Sequence, residues 1–165
     1  MKLLGEPTTV FNDYKKTGLY LALTKCNFKC VKEAKTKGLK LIECQNHSLA
    51  NQKSFLNLST QEIYDFYIST NPFIECIIMS GLDPIDSWND GTIEFIDEFR
   101  KISDMEIVIF TGYYPNEIED KLNILKGYKN ITIKFGRYSP EVDSRFDSIG
   151  EVNLISGNQY FQVIS

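Results

Sequence analysis

The stretch Gly18-Leu19-Tyr20-Leu21-Ala22-Leu23-Thr24-Lys25-Cys26-Asn27-Phe28-Lys29-Cys30 decides how this chain is read. Gly18 to Thr24 is almost continuously apolar, the pattern of a strand buried on both faces of a parallel sheet. It runs into Cys26, so a cysteine loop begins where the strand ends. That end of the strands is where α/β folds place their chemistry. A third cysteine, Cys44, follows a Lys-rich excursion, and the only histidine, His47, stands three residues beyond it. The spacing is C-x3-C-x13-C-x2-H. Thiolates and an imidazole gathered this closely are soft ligands and point to a metal. Two sites fit the spacing. Three thiolates can hold three irons of a [4Fe–4S] cluster and leave the fourth open, or Cys3His can close a tetrahedral zinc site.

Bulk properties narrow the context. A chain of 165 residues suits a single domain, residues 1–165, with a sizeable core. The net charge of −4 gives no global pull toward nucleic acid. No apolar run is long enough to span a membrane, and Met1 to Pro7 lacks the apolar core of a signal peptide. A cytoplasmic location is expected, where thiols stay reduced and clustered cysteines bind metal or do chemistry. The fourth cysteine, Cys76, sits in the apolar run Ile74 to Met79 and reads as a buried strand residue.

Further along, apolar runs and helical periodicities alternate. Residues 1–17 read as irregular, and residues 31–43 as an insert in the cysteine loop, a small hairpin turning at Gly38. Ser59-Thr60-Gln61-Glu62 is a capping box that predicts a three-turn helix ending near Thr70, with Ile63, Phe66 and Tyr67 at helical spacing. Phe73 to Met79 is a second strand. Ile93, Ile96, Phe99 and Arg100 mark a second helix, Glu106 to Phe110 a third strand, Asn116 to Leu125 a third helix, and Ile131 to Phe135 a fourth strand. Strands alternating with helices predict an α/β fold with a parallel sheet. Four to six strands are too few to close an eight-stranded barrel, so an open or partial parallel β/α barrel is expected. Its strand-end loops are the cysteine loop, Ser80–Pro84, Thr111–Pro115 and Gly136–Tyr138. The chain holds no P-loop and no G-x-G-x-x-G, and its one histidine leaves no Ser/His/Asp triad.

These strand-end segments, in order, resemble those of the radical S-adenosylmethionine enzymes that activate glycyl-radical enzymes, in particular the activases of anaerobic (class III) ribonucleotide reductase. Cys26, Cys30 and Cys44, followed by Gln45-Asn46, resemble the family's cysteine loop. Ser80-Gly81-Leu82-Asp83-Pro84 resembles its Ser-Gly-Gly-Asp-Pro, Thr111-Gly112-Tyr113 its Thr-Gly-Tyr, Gly136-Arg137-Tyr138 its Gly-Pro-Phe/Tyr, and Ser156-Gly157-Asn158-Gln159 its Ser-Ser-Asn-Gln. The likeness runs from Gly18 to Gln159. Three departures stand out: thirteen residues between the second and third cysteines where the family has two, Glu43 before the third cysteine, and Leu82 in place of a glycine.

The resemblance implies a partial barrel of the radical S-adenosylmethionine type with two cofactors, a [4Fe–4S] cluster on Cys26, Cys30 and Cys44, and S-adenosylmethionine. It implies that Glu43 and Gln45 flank the adenine, that Ser80, Gly81, Leu82 and Asp83 receive the ammonium, and that Thr111 and Tyr113 contact the ribose or adenine. Asp83-Pro84 also reads as a helix N-cap followed by a first-turn proline. Asn158-Gln159 either meets the cofactor or ties down the last strand. The implied partners are the reductase carrying the target glycine and a flavodoxin- or ferredoxin-like electron donor. Two other readings stay open: the same chemistry on another substrate, and a zinc-stabilised binding module using His47 as a ligand and residues 31–43 as a docking loop.

Overall fold

The computed structural model describes residues 1–39, 44 and 46–165. In chain order the elements are β1 (Lys2–Leu3), β2 (Thr8–Val10), β3 (Gly18–Leu23), α1 (Lys29–Thr36), α2 (His47–Ala50), β4 (Leu56–Asn57), α3 (Thr60–Ile63), β5 (Cys76–Gly81), α4 (Thr92–Ile102), β6 (Glu106–Phe110), α5 (Glu119–Leu125), β7 (Ile131–Phe135), β8 (Arg145–Asp147), β9 (Val152–Leu154) and β10 (Tyr160–Val163). Six strands form the central sheet in the order β10-β7-β6-β5-β3-β2. The inner four, β3, β5, β6 and β7, are parallel. The two edges are antiparallel, β2 on β3 and β10 on β7. The sheet is open, with β2 and β10 at opposite ends, so no barrel closes. The parallel core matches the alternating pattern of the sequence; β2 falls in the stretch read as irregular.

Successive parallel strands are also neighbours in the sheet, so the helical crossovers stack on one face. There Leu21, Ile77, Ile107 and Ile133 pack with Ile63, Phe95, Phe99 and Leu122 in one core. Phe95 and Phe99 on α4 stack with ring centroids 5.3 Å apart, and each buried phenyl contributes about 1.5–3 kcal/mol. The opposite face presents Cys76, Ile78 and Val108, covered by Tyr14, Leu154 and Phe161. No helix among the described residues is long and apolar enough to cross a membrane.

Several local expectations are corrected. Of the stretch 31–43, read as an insert or small hairpin, the part up to Thr36 belongs to helix α1 (Lys29–Thr36), and residues 40–43 lie outside the described residues. Gly38, at φ +68, ends α1: its N–H donates to the Lys35 carbonyl, and the Leu39 N–H donates to the Ala34 carbonyl. That pair of bonds is a Schellman cap. The capping box at Ser59 and Glu62 is present with both reciprocal bonds. After α3, however, the chain takes a π-helical turn over Tyr64–Ile68, whose i→i+5 bonding puts an extra residue into the turn and shifts the buried face. Ile63 and Ile68 are buried and Phe66 is 67% exposed. The second parallel strand begins at Cys76, leaving Phe73 exposed. Asp83-Pro84 does not start α4, whose N-cap is Gly91.

Candidate functional site

A cleft of about 820 Å3, counted to its open mouth, lies at the C-terminal ends of β3, β5, β6 and β7. Cys26, Cys30 and Cys44 line one side of it. Ser80, Gly81, Leu82 and Asp83 enter from the end of β5, and Thr111 and Tyr113 from the end of β6. Phe110 and Lys134 also face the cleft, and Arg137 and Gln159 complete its lining. The parallel register aligns Leu23 with Gly81 and Phe110 with Lys134, which brings these distant segments to one rim.

The cysteine loop is shaped by backbone geometry. Phe28 is left-handed at φ 56 and leads into α1. Its N–H donates to the Cys26 sulfur at 3.3 Å, and the Asn46 N–H donates to the Cys44 sulfur at 3.4 Å. Such N–H to sulfur bonds are among the features that tune iron–sulfur centres. The Asn46 side-chain amide donates to the Gly81 carbonyl, tying the third-cysteine segment to the end of β5. Burial pushes the Cys26 thiol up to about 12 and raises Cys30 as well. Metal binding displaces those protons.

Among the described residues, no three His, Cys, Asp or Glu side chains converge tightly enough to hold a single metal ion. A mononuclear zinc site needs its sulfurs packed about one atom at about 2.3 Å. A cluster places each thiolate on a separate iron and spreads them apart. His47 lies on exposed α2, its Nε2 2.9 Å from the Asn51 side-chain amide, and it does not line the cleft.

Asp83 is the electrostatic centre of the opposite side. Its Oδ1 accepts from the Ile85 N–H at 2.9 Å and from the Thr111 hydroxyl at 2.9 Å, and its Oδ2 accepts from the Gly112 N–H at 2.9 Å. Asp83 is only 5% exposed, and that burial raises its carboxyl to about 6. Thr111 is thus committed to Asp83. The Tyr113 hydroxyl donates to Asp86 Oδ1 at 2.6 Å, and Asp86 Oδ2 accepts from the Asn27 N–H at 2.7 Å. Burial, reinforced by Asp86, holds the Tyr113 phenol well above its ordinary range.

Comparison with known proteins returns nothing. No family model, no curated protein and no solved structure matches this chain.

Glu43 and Gln45, expected beside the adenine, lie outside the described residues. The other nine expected site residues all line the cleft. Three further residues escape the motif reading, and Arg137, inside the Gly136-Arg137-Tyr138 segment, takes a place that the segment did not signal. Asn27 and Asp86 bridge the cysteine loop to the β5 and β6 loops, and nothing in their local sequence signals it. Arg137 is buried beside α1. Lys134 points its amine over the Phe110 ring at 5.0 Å, and burial lowers it to about 8. A lysine within the apolar run Ile131 to Phe135 is a readable signal, because a parallel strand accepts a charge only where its face opens. The buried Gln159 Oε1 has no hydrogen-bond partner among the described residues.

Proposed function

We propose that this chain is a radical S-adenosylmethionine enzyme that installs a glycyl radical on anaerobic ribonucleotide reductase. One observation carries the reading: the three clustered cysteines open onto the same cleft as Ser80–Asp83 and Thr111–Tyr113. A zinc module has no use for that convergence. The unpartnered Gln159 oxygen in the same cleft adds support, because a buried acceptor without a donor is costly unless a ligand supplies one. In this reading the open sheet is part of a partial parallel β/α barrel, and Cys26, Cys30 and Cys44 hold a [4Fe–4S] cluster.

When bound, the cluster and S-adenosylmethionine supply one-electron chemistry that ends in hydrogen abstraction from a glycine Cα. The chain's own residues bind, orient and exclude water. Asp83, fixed by three donors, presents negative charge to the ammonium group of the substrate. Ser80, Gly81 and Leu82 shape the wall beside it; for Glu43 and Gln45, outside the described residues, the adenine role rests on the resemblance alone. Thr111 acts by holding Asp83, and the Tyr113 and Phe110 rings keep water from the cleft. The open mouth admits a large protein substrate and a flavodoxin- or ferredoxin-like donor. The setting is cytoplasmic, with no membrane or nucleic-acid role. A second substrate reading has one observation in its favour: α1, with Lys29 and Cys30 on the cleft, reshapes the wall beside the cysteines.

The test is anaerobic purification with iron, sulfide and zinc analysis and an optical spectrum, before and after S-adenosylmethionine. About four irons per chain and a spectral change are expected. Cys26→Ala, Cys30→Ala and Cys44→Ala each lose the iron, and Cys76→Ala retains it, because Cys76 is fully buried at the opposite end of β5. One zinc, no colour and loss of the metal in His47→Ala would overturn the proposal. Mixing with the reductase should then give a glycyl-radical resonance. Its absence from a protein that binds iron and responds to S-adenosylmethionine would redirect the assignment to another substrate.

A further inference from the structure

Helix α1 carries Cys30, yet its only fully buried residue is Ala34. Packing alone is a weak anchor for so short a helix. The anchor is ionic and centres on Arg137, whose side chain is only 8% exposed. Its Nη2 donates to Glu117 Oε1 at 2.5 Å, and its Nε forms an ion pair with Glu33 Oε2 on α1 at 3.2 Å without hydrogen-bond alignment. The guanidinium sits 4.9 Å from the Tyr114 ring. Glu117 also accepts from Lys29 Nζ at 2.9 Å, one residue before Cys30, and from the Tyr114 N–H at 2.8 Å. Lys29 in turn lies 4.1 Å over the Tyr113 ring. Both ends of the first turns of α1, Lys29 and Glu33, are therefore tied to the rim beyond β6 and β7. A buried guanidinium is stable only while its carboxylates are in place, so the network acts as a unit.

We propose that Arg137 is a positioning residue: by bridging Glu117 and Glu33 it clamps α1 against the rim and so sets the place of Cys30 in the cleft. Cys30 and Arg137 form part of the walls of both this cleft and a second cavity behind α1, so the clamp also keeps the two apart. The proposal rests on reading Cys30 as a ligand, but its test does not depend on the cluster.

The experiment uses the full-length, metal-free, reduced protein. Hydrogen exchange is followed for residues 29–39, and iodoacetamide alkylation of Cys30 is timed against Cys26 by peptide mass spectrometry. Arg137→Met is expected to lower α1 protection at least tenfold and to raise the Cys30-to-Cys26 alkylation ratio severalfold, with β5, β6 and β7 still protected. Glu33→Gln should shift both readouts in the same direction, and Arg137→Lys should restore part of the protection. Should Arg137→Met lose protection throughout the sheet, Glu33→Gln decides, since Glu33 is part-exposed on the helix surface. Unchanged α1 protection and an unchanged alkylation ratio in Glu33→Gln would overturn the clamp, whatever metal the protein later proves to bind.

Discussion

Asp83 bears the conflict between burial and charge most sharply. Three donors surround it, yet burial still raises it to about 6 from an ordinary 3.8. The folded protein therefore holds that proton more tightly than the unfolded chain does. Its contribution to stability is fully present below about pH 4 and declines as pH rises to about 6. Asp83→Asn removes this slope. Denaturant unfolding at pH 4, 5 and 6 should show the variant gaining on the parent as pH rises; parallel stabilities across the series would refute the assignment. A bound ammonium or amine facing Asp83 lowers it again, which couples ligand binding to proton release.

At the scale of elements, apolar runs made the four parallel strands legible, and the capping box placed the start of α3 to the residue. What stayed illegible depended on contacts far away in sequence. Residues 31–36 offer only Val31 and Ala34 as apolar positions, too few to distinguish a helix from a hairpin. The ion pairs that hold α1 come from Glu117 and Arg137, about a hundred residues later. The π turn after α3 has no sequence signature either, and it moved Phe66 from the expected buried face to solvent. Two glycines give a graded test of the loops. Gly38→Ala places a side chain at φ +68 in open space and should cost about 1 kcal/mol. Gly81→Ala combines φ +84 with a Cβ only 2.8 Å from the Ala22 Cα, so it should cost about 1–3 kcal/mol and narrow the cleft. Equal midpoints for the two variants in urea would contradict this ranking.

Across the whole molecule, the sheet is shared by both cores: odd-numbered positions on β5 and β6 face the helices, and even-numbered ones face Tyr14 and Phe161. Neither core can dissolve without exposing the other. Unfolding should accordingly be a single transition, with Trp88 fluorescence and far-ultraviolet dichroism coinciding. Separate midpoints would show a subdomain that the shared sheet does not allow. The site was legible at this scale as a set of strand ends, because a parallel sheet sends every C-terminal loop to one rim. The supporting residues were not: Asn27 and Asp86 acquire their roles only when those loops meet.

The strand order has a consequence during synthesis. β3 forms its antiparallel hairpin with β2 at once, but its parallel neighbour β5 lies about 60 residues further along. At roughly 5–20 residues per second, the ribosome leaves the second edge of β3 unpaired for roughly 3–12 s. Leu19, Leu21 and Leu23 spend that interval without their helical cover. A nascent chain in that state is a natural client for a holding chaperone, and slower translation through residues 24–75 would lengthen its vulnerability to aggregation.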